Sequence, residues 1–338
     1  MSRLSTVVKR HPLITFFALA YALSWWPWIL YAYDLAPSPI AGFGPFLAAL
    51  AVLAITSGKT GVLGLLRRMV QWRVGLGWYA AALLIPAAIS FAAAQSNILL
   101  GAQALESAER GAWTSIFSTF LFLLLVPGVG GAWEEPGWRG YAVPRLQTGR
   151  SALLASLIFW PPLVIWHLPL IIVGALPWSE IVFMLGFVIV FNWVFNNARG
   201  SVLIIMVMHA MNNTISFSFF GAMFTGTDSD RYRWLYAAGW CLVAFVVILV
   251  SGPQHLSRKY KKQELHDGSL SPDGSTPEPV RTDQATQSQS VGDHGAPFAP
   301  LQARECPLRV HRWLLLIMWS LPRGQGRFAS RGFASLTL

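Results

Sequence analysis

Charged residues are scarce in this chain of 338 residues. Only 12% of the residues are Asp, Glu, Lys or Arg, whereas 54% are hydrophobic. Soluble domains carry about 25% charged residues, so this chain has too little polar surface to cover itself in water. The shortage excludes an ordinary soluble enzyme, a disordered scaffold and a fibrous protein. It predicts a protein that crosses a membrane several times.

Cysteine is also nearly absent, with Cys241 in an apolar run and Cys306 in a polar one. Two cysteines at that spacing exclude a disulfide framework and a cysteine-based metal site. The chain also lacks a Gly-x-Ser-x-Gly motif, and Cys241 has no neighbouring His. A serine or cysteine nucleophile is therefore not indicated.

Long apolar runs are abundant, and about eight of them approach the roughly 20 residues needed to cross a bilayer. They lie at residues 12–33, 38–57, 78–97, 112–130, 152–175, 178–196, 201–224 and 233–252. We therefore predict an all-α polytopic membrane domain over residues 1–252. Polar residues, Pro and Ser dominate much of the remaining chain, which predicts a disordered, low-complexity basic tail over residues 253–338.

The net charge of +10 does not indicate a nucleic-acid partner, because the Lys and Arg residues lie mainly between apolar runs. Leaving aside Arg139 and everything beyond Lys262, the N-terminal segment, every second connector and the segment after the last run carry 14 basic residues, against three in the opposite connectors. Basic residues stay on the cytoplasmic side of membranes, so we expect both termini in the cytoplasm. Residues 61–76 fit either an amphipathic helix on that side or a basic loop.

Ionisable side chains inside apolar runs are costly and therefore mark functional sites. Three places carry such polar side chains: Glu134, Glu135 and Arg139; His167; and His209 with Asn213. Glu135 and Arg139 are four residues apart and suit an ion pair on one helix face, which leaves Glu134 in need of another partner. We expect Pro136 to begin that helix. His209 and Asn213 likewise share a face. Each place also has a purely structural interpretation, such as an ion pair at a span end or polar contacts between helices.

A fourth polar place contains Asn192, Asn196 and Asn197. We interpret it as the end of a span near the lipid headgroups and assign it no chemistry.

Together, the first three places suit hydrolysis of an acyl bond. A carboxylate and a His can share a water and remove its proton, while a second His and an Asn amide stabilise an oxyanion. Alternatively, Glu and His side chains bind a divalent metal such as zinc, for which Glu134, His167 and His209 are the candidate ligands. The residues themselves leave both schemes open.

These motifs resemble those of the CAAX-protease and bacteriocin-processing family of intramembrane proteases (CPBP, or Abi). The family's Glu-Glu-x-x-x-Arg motif matches Glu134 to Arg139, and its His-x-x-x-Asn motif matches His209 and Asn213. The second motif is matched at His167, but Leu163 stands where the family has an aromatic residue. The order and spacing agree across about 80 residues, and the residues flanking the motifs resemble bacterial members.

The resemblance implies a role for each residue. Glu134 and His167 would activate the water, and His209 and Asn213 would form the oxyanion site. Arg139 would fix the carboxylates, with Glu135 in support. The family has been described both as metalloproteases and as metal-free glutamate proteases, and the sequence leaves this open.

The leading expectation is an endopeptidase in a bacterial plasma membrane, cleaving near the cytoplasmic face. Its partners would be membrane lipid and a peptide or protein substrate, with lipid modification of that substrate left open. The alternative is a non-proteolytic scaffold or bacteriocin-immunity protein of the same fold. A transporter is disfavoured, because no two halves share matching Gly or Pro interruptions. For His167 to reach Glu134, we expect Pro161 and Pro162 to break their helix.

Overall fold

The computed structural model describes residues 3–33, 35, 42–105 and 108–257, and these residues form helices and connections without a β-strand. The all-helical architecture predicted from the sequence is confirmed for this part of the chain. Its α-helices are α1 (Arg3–Arg10), α2 (Pro12–Ala32), α3 (Gly44–Thr56), α4 (Gly58–Met69), α5 (Leu76–Leu99), α6 (Ala108–Leu125), α7 (Glu135–Gly137), α8 (Val143–Gln147), α9 (Ala152–Ile172), α10 (Ser179–Asn197), α11 (Val202–Asn213) and α12 (Gly226–Ser251).

In the part of the chain that the structure describes, six helical segments are long and apolar enough to cross a membrane. They are α2, α5, α9, α10, α12 and the continuous segment Val202–Met223 that begins with α11. The apolar runs predicted at residues 38–57 and 112–130 form shorter helices. Pro45 fits only the first turn of a helix, so α3 starts at that point. Pro127 and the positive φ of Gly128 follow the end of α6. The predicted count of eight spans is therefore approximate.

Two segments occupy the centre of the bundle. In α10, 78% of the residues of the spanning stretch are buried, and in Val202–Met223 the fraction is 67%. The corresponding fractions in the other four spanning helices are only 22–33%, so these helices present most of their apolar surface outward. A Cβ on Gly186 of α10 would lie 2.5 Å from the carbonyl carbon of Trp240. Glycine therefore permits the close packing of α10 on α12.

Helix α9 is continuous although three prolines lie inside it, so the break expected at Pro161 and Pro162 is wrong. Side chains of α2 bind backbone carbonyls along this stretch. The Tyr21 hydroxyl donates to the Pro162 oxygen at 2.8 Å, and the Trp25 indole N–H donates to the Trp166 oxygen at 3.0 Å. Polar contacts from a neighbouring helix allow proline to remain inside a membrane helix.

The segment that fitted either an amphipathic helix or a loop is largely helical, as α4. Its Leu65 is buried, and a Cβ on Gly140 would lie 2.4 Å from a methyl carbon of Leu65. The Arg68 guanidinium donates to the carbonyl oxygen of Gly140. Helix α4 therefore supports the segment that carries the first motif.

Residues 253–257, which follow the predicted domain boundary, also contact the helices. The Gln254 oxygen accepts the Ala152 N–H at 2.8 Å at the start of α9. At the end of α10, the Asn196 amide donates to the His255 oxygen at 3.0 Å. The chain divides into two units after Pro272, and the second unit, like everything from residue 258 onward, lies outside the described residues.

Candidate active site

The first motif lies on residues Ala132–Gln147, which we call the motif segment. It consists of a 3-10 turn Ala132–Glu134, helix α7, a π-helical turn Trp138–Ala142 and helix α8. Pro136 lies in the first turn of α7, as the sequence predicted. The segment connects α6 to the spanning helix α9, yet residues 134–143 are all buried. It therefore carries polar groups into the bundle, and π-helical turns of this kind often accompany functional sites.

Glu135 and Arg139 form the ion pair that their spacing predicted. The Nη1 of Arg139 lies 3.0 Å from both carboxylate oxygens of Glu135, and both side chains are fully buried. The guanidinium carbon of Arg139 also lies 5.1 Å from the ring centres of Phe187 and Phe191. Such aromatic surfaces favour a buried cation, so the pair is held by charge and by the rings around it.

His209 meets the same carboxylate. Its Nδ1 lies 2.6 Å from the Glu135 Oε1, and the imidazole is only 8% exposed. Glu135 therefore joins the first motif to the third, which is a larger role than the supporting one implied by the family resemblance. A His that donates one ring N–H to a carboxylate has its orientation fixed and presents its other nitrogen in a defined direction.

That other nitrogen lies against a glycine. A Cβ on Gly131 would lie 1.9 Å from the His209 Nε2. The φ of Gly131 is −87°, an ordinary value for any residue. The requirement for glycine at this position is therefore one of space for His209.

Glu134 has no cation as a hydrogen-bond partner among the described residues. Its Oε2 accepts the indole N–H of Trp138 at 3.2 Å, and it is 7% exposed. Burial raises the pKa of the Glu134 carboxyl well above its usual value, and the adjacent charge of Glu135 raises this pKa further. Because Arg139 pairs with Glu135, as expected, Glu134 remains the unpaired carboxylate of the motif.

His167 lies on α9, with its Nδ1 2.9 Å from the Leu163 carbonyl oxygen. This hydrogen bond assigns the proton to Nδ1 and leaves Nε2 as an acceptor. The aromatic packing missing at Leu163 is supplied by Trp166, whose ring centre lies 4.6 Å from that of His167. Trp166 also packs edge-on against Trp138 at 5.4 Å. Since Trp138 binds Glu134, a chain of aromatic contacts connects the first and second motifs.

Asn213 is the last residue of α11, which continues as the π-helix Thr214–Phe220. Its Oδ1 accepts a hydrogen bond from the Asn212 amide at 3.1 Å. Asn212 in turn accepts the hydroxyl proton of Tyr236 from α12. These two hydrogen bonds orient the amide of Asn213. The N–H groups of that amide make no hydrogen bond within the described residues and remain available as donors.

Comparisons with known proteins identify a family and a relative that match this region. Residues 112–215, which contain all six candidate residues, match the family described as Type II CAAX prenyl endopeptidase Rce1-like. The chain is also 32% identical over 109 residues to CAAX prenyl protease 2 of Methanococcus maripaludis. The resemblance to the CPBP family of proteases is confirmed. This match covers 29% of the present chain. It spans about two-fifths (39%) of the length of that relative.

With its long apolar helices, this CPBP-like chain is a multi-pass integral membrane protein. The structure brings Glu135, Arg139 and His209 into direct contact. Glu134 and His167 are linked to this group through aromatic neighbours, and Asn213 follows His209 on one helix.

Asn192 was misinterpreted as the end of a span. It is fully buried, accepts a hydrogen bond from the Nε of Arg139 at 3.2 Å and donates to the Ser156 hydroxyl at 2.8 Å. A signal was present in the sequence, because Asn192 lies one helical turn deeper than Asn196. An amide at that depth in an apolar helix requires a polar partner.

The metal-binding alternative fits this arrangement less well than the metal-free scheme. Among the described residues, no three His, Cys, Asp or Glu side chains form a group that could hold a metal ion. Glu134, His167 and His209 therefore do not form a three-ligand site in this structure. The arrangement instead offers the carboxylate of Glu134, which has no cation as a partner, and the amide N–H groups of Asn213. It also offers one ring nitrogen each from His167 and His209, whose other ring nitrogens are hydrogen-bonded.

Proposed function

We propose that this protein is an intramembrane endopeptidase in which Glu134, assisted by His167, activates a water molecule. The proposal rests on the difference between the hydrogen-bond partners of the two adjacent carboxylates, Glu134 and Glu135. Glu135 is bound by Arg139 and His209, whereas Glu134 accepts only an indole N–H. A buried carboxylate without a cation is costly unless it serves a reaction.

In the first step, Glu134 takes a proton from water as the oxygen attacks the scissile carbonyl carbon. The bond between carbon and the water oxygen forms while the carbonyl π electrons move onto oxygen. His167 accepts the second hydrogen bond of the water through Nε2, which its bond to Leu163 leaves unprotonated. When the C–N bond breaks, Glu134 returns its proton to the leaving amine.

The oxyanion of this intermediate is stabilised by Asn213 and His209. The free amide N–H groups of Asn213 are donors in any protonation state. With its Nδ1–H directed at Glu135, His209 donates from Nε2 to the oxyanion only as an imidazolium, which is the form that this scheme uses. Glu135 therefore acts on the oxyanion through His209.

The substrate in this proposal is a peptide or protein that reaches the site from the membrane. The name of the archaeal relative, CAAX prenyl protease 2, makes prenylated C-terminal peptides the first class to test. The distribution of basic residues supports a site that serves the cytoplasmic side, with both termini there. Accessibility tags after residue 2 and near residue 262 should both report the cytoplasm.

The decisive experiment assays the purified protein against fluorogenic peptides with and without a prenyl group, in the presence and absence of a chelator. We expect cleavage that resists the chelator. Glu134→Gln and His167→Ala should each lose about 10²–10⁴-fold in rate. Because both act on one water, the double variant should be scarcely worse than either single variant.

Two matched controls test whether these losses are specific. Asp230→Asn removes an exposed carboxylate and His11→Ala removes an exposed imidazole, and both variants should keep full activity. If Glu134→Gln remains monodisperse and cleaves at the wild-type rate, the proposed mechanism is wrong. If the wild-type protein cleaves none of the peptides, a non-proteolytic scaffold becomes the better interpretation. Loss of wild-type activity on chelation would instead favour a metalloprotease.

A further inference from the structure

A cavity of about 220 Å³ lies away from the candidate catalytic residues, between the start of α10, the start of α12 and the π-helix that follows Asn213. Its walls combine two charged side chains, Glu180 and Arg233, with hydroxyl groups and aromatic rings. The cavity has room for several water molecules or for a small polar group. None of the six candidate catalytic residues lines it, although its lining residue Tyr236 binds Asn212, the neighbour of Asn213.

The two charged groups in this cavity have opposite signs but are not paired. Glu180 is only 8% exposed, and its carboxylate makes no hydrogen bond within the described residues. No ion pair shorter than 4.0 Å joins Glu180 to Arg233, although pairs of this kind join Arg139 to Glu135 and Arg231 to Asp228. Burying a carboxylate without a partner is costly. Both groups therefore remain available to a ligand that carries one charge of each sign.

The position of the cavity in the membrane identifies the source of such a ligand. Trp178 and Trp234, adjacent in sequence to the lining residues Ser179 and Arg233, are 61% and 52% exposed. Exposed Trp residues at helix ends mark the level of the lipid headgroups. Phe217, another lining residue, is 42% exposed and continues the wall toward the apolar surface. A lipid headgroup can enter at this level while its acyl chains stay in the bilayer.

We propose that this cavity binds the phosphoethanolamine headgroup of a zwitterionic phospholipid, with the ammonium group on Glu180 and the phosphate on Arg233. Guanidinium groups bind phosphate through paired hydrogen bonds. An ammonium group is favoured beside a carboxylate and near aromatic faces, and Phe183 and Tyr236, stacked 5.2 Å apart, both line the cavity. An anionic headgroup without an amine leaves Glu180 unpaired and is therefore disfavoured.

The test uses the purified full-length protein in neutral detergent and soluble dihexanoyl lipids, with affinities measured by microscale thermophoresis. Dihexanoyl phosphatidylethanolamine should bind saturably, and dihexanoyl phosphatidylglycerol should bind at least about tenfold more weakly. Glu180→Gln and Arg233→Gln should each weaken binding of the ethanolamine lipid by about tenfold or more, the loss expected for a hydrogen bond to a charged group. Asp230→Asn, an exposed neighbour, should bind like the wild type.

Several outcomes would overturn the proposal. One is equal binding of the two lipids, a comparison that needs only the wild-type protein and does not depend on the folding of any variant. Another is unchanged binding by Glu180→Gln or by Arg233→Gln, which lies at a half-exposed position. Free phosphoethanolamine is the third ligand. If it binds as tightly as the lipid, the assignment to a lipid source fails.

Discussion

Glu135 and His209, 74 residues apart in the sequence, meet through a hydrogen bond of 2.6 Å. This contact joins the motif segment to α11 and places a charged carboxylate behind one of the two candidate imidazoles. The same carboxylate neutralises Arg139, whose Nε is fixed by Asn192. The site is therefore organised around Glu135, while Glu134 beside it makes no ion pair within the described residues, as the proposed mechanism requires.

The first prediction concerns the buried charge of Glu135. Glu135→Gln leaves Arg139 buried without its counter-charge and should destabilise the protein by about 3–5 kcal/mol. Thermal unfolding in detergent measures the loss. Asp228→Asn is the control, because its pair with Arg231 is partly exposed and should be worth no more than about 1 kcal/mol. Equal unfolding temperatures for Glu135→Gln and the wild type would contradict the central role of Glu135.

The second prediction concerns the space beside His209. Gly131→Ala places a methyl group where the His209 Nε2 lies, so the imidazole must leave its hydrogen bond with Glu135. Peptidase activity should fall as far as it does in His209→Ala. Gly64→Ala is the matched control, because nothing lies within 4 Å of the added carbon. Full activity in Gly131→Ala would mean that His209 does not need its observed position.

The third prediction concerns the amide of Asn213. Asn213→Ala should reduce kcat by about 10²-fold, the cost of one oxyanion donor. Tyr236→Phe releases Asn212, which binds Asn213, and should reduce kcat by a smaller factor with little change in KM. Tyr79→Phe removes a hydroxyl that binds only the Trp72 carbonyl and should be silent. If Tyr236→Phe keeps a normal kcat, the hydrogen bonds from Tyr236 through Asn212 do not position the amide of Asn213.

The fourth prediction concerns the protonation of Glu134. Since burial raises the pKa of this carboxyl above its ordinary value of 4.5, Glu134 should stay protonated over a range of pH above 4.5. The proposed base works only when ionised, so activity should fall as the pH drops through the raised pKa. Infrared titration should show a protonated-carboxyl band in this range that is missing from Glu134→Gln. Identical spectra for the two proteins would argue against the raised pKa.

The fifth prediction concerns residues 253–257. Truncation after Gln263 keeps residues 253–257 and should leave expression and activity unchanged. Truncation after Gly252 removes the acceptors for Ala152, Asn196 and Asn197 and should lower the unfolding temperature. Comparison of the two truncated proteins separates the role of these five residues from that of the long tail. Loss of activity in the protein truncated after Gln263 would reveal a function for residues beyond 263.

Local spacing made much of the site predictable. The four-residue separation of Glu135 and Arg139 predicted their ion pair, and Pro136 predicted the start of a helical turn. Apolar runs predicted the positions of the helices, because crossing a bilayer requires length and composition that are visible in the sequence. The assignment of Glu134 as the unpaired carboxylate followed from the same geometry.

Contacts between distant segments were not predictable in this way. Nothing in the spacing indicates that His209 binds Glu135 or that Asn192 holds Arg139, since both depend on how helices pack. The continuity of α9 depends equally on a neighbour, because Tyr21 of α2 binds the carbonyl of Pro162.

The close approach of Gly131 to His209 also bears on how a substrate could reach the proposed oxyanion site. A Cβ on Gly131 would lie 1.9 Å from the His209 Nε2, so the backbone at Gly131 is a near neighbour of this nitrogen. In the proposed mechanism, a scissile carbonyl oxygen therefore has to approach Nε2 beside this backbone, where space is limited. We expect peptides in which a D-residue supplies that carbonyl to resist cleavage.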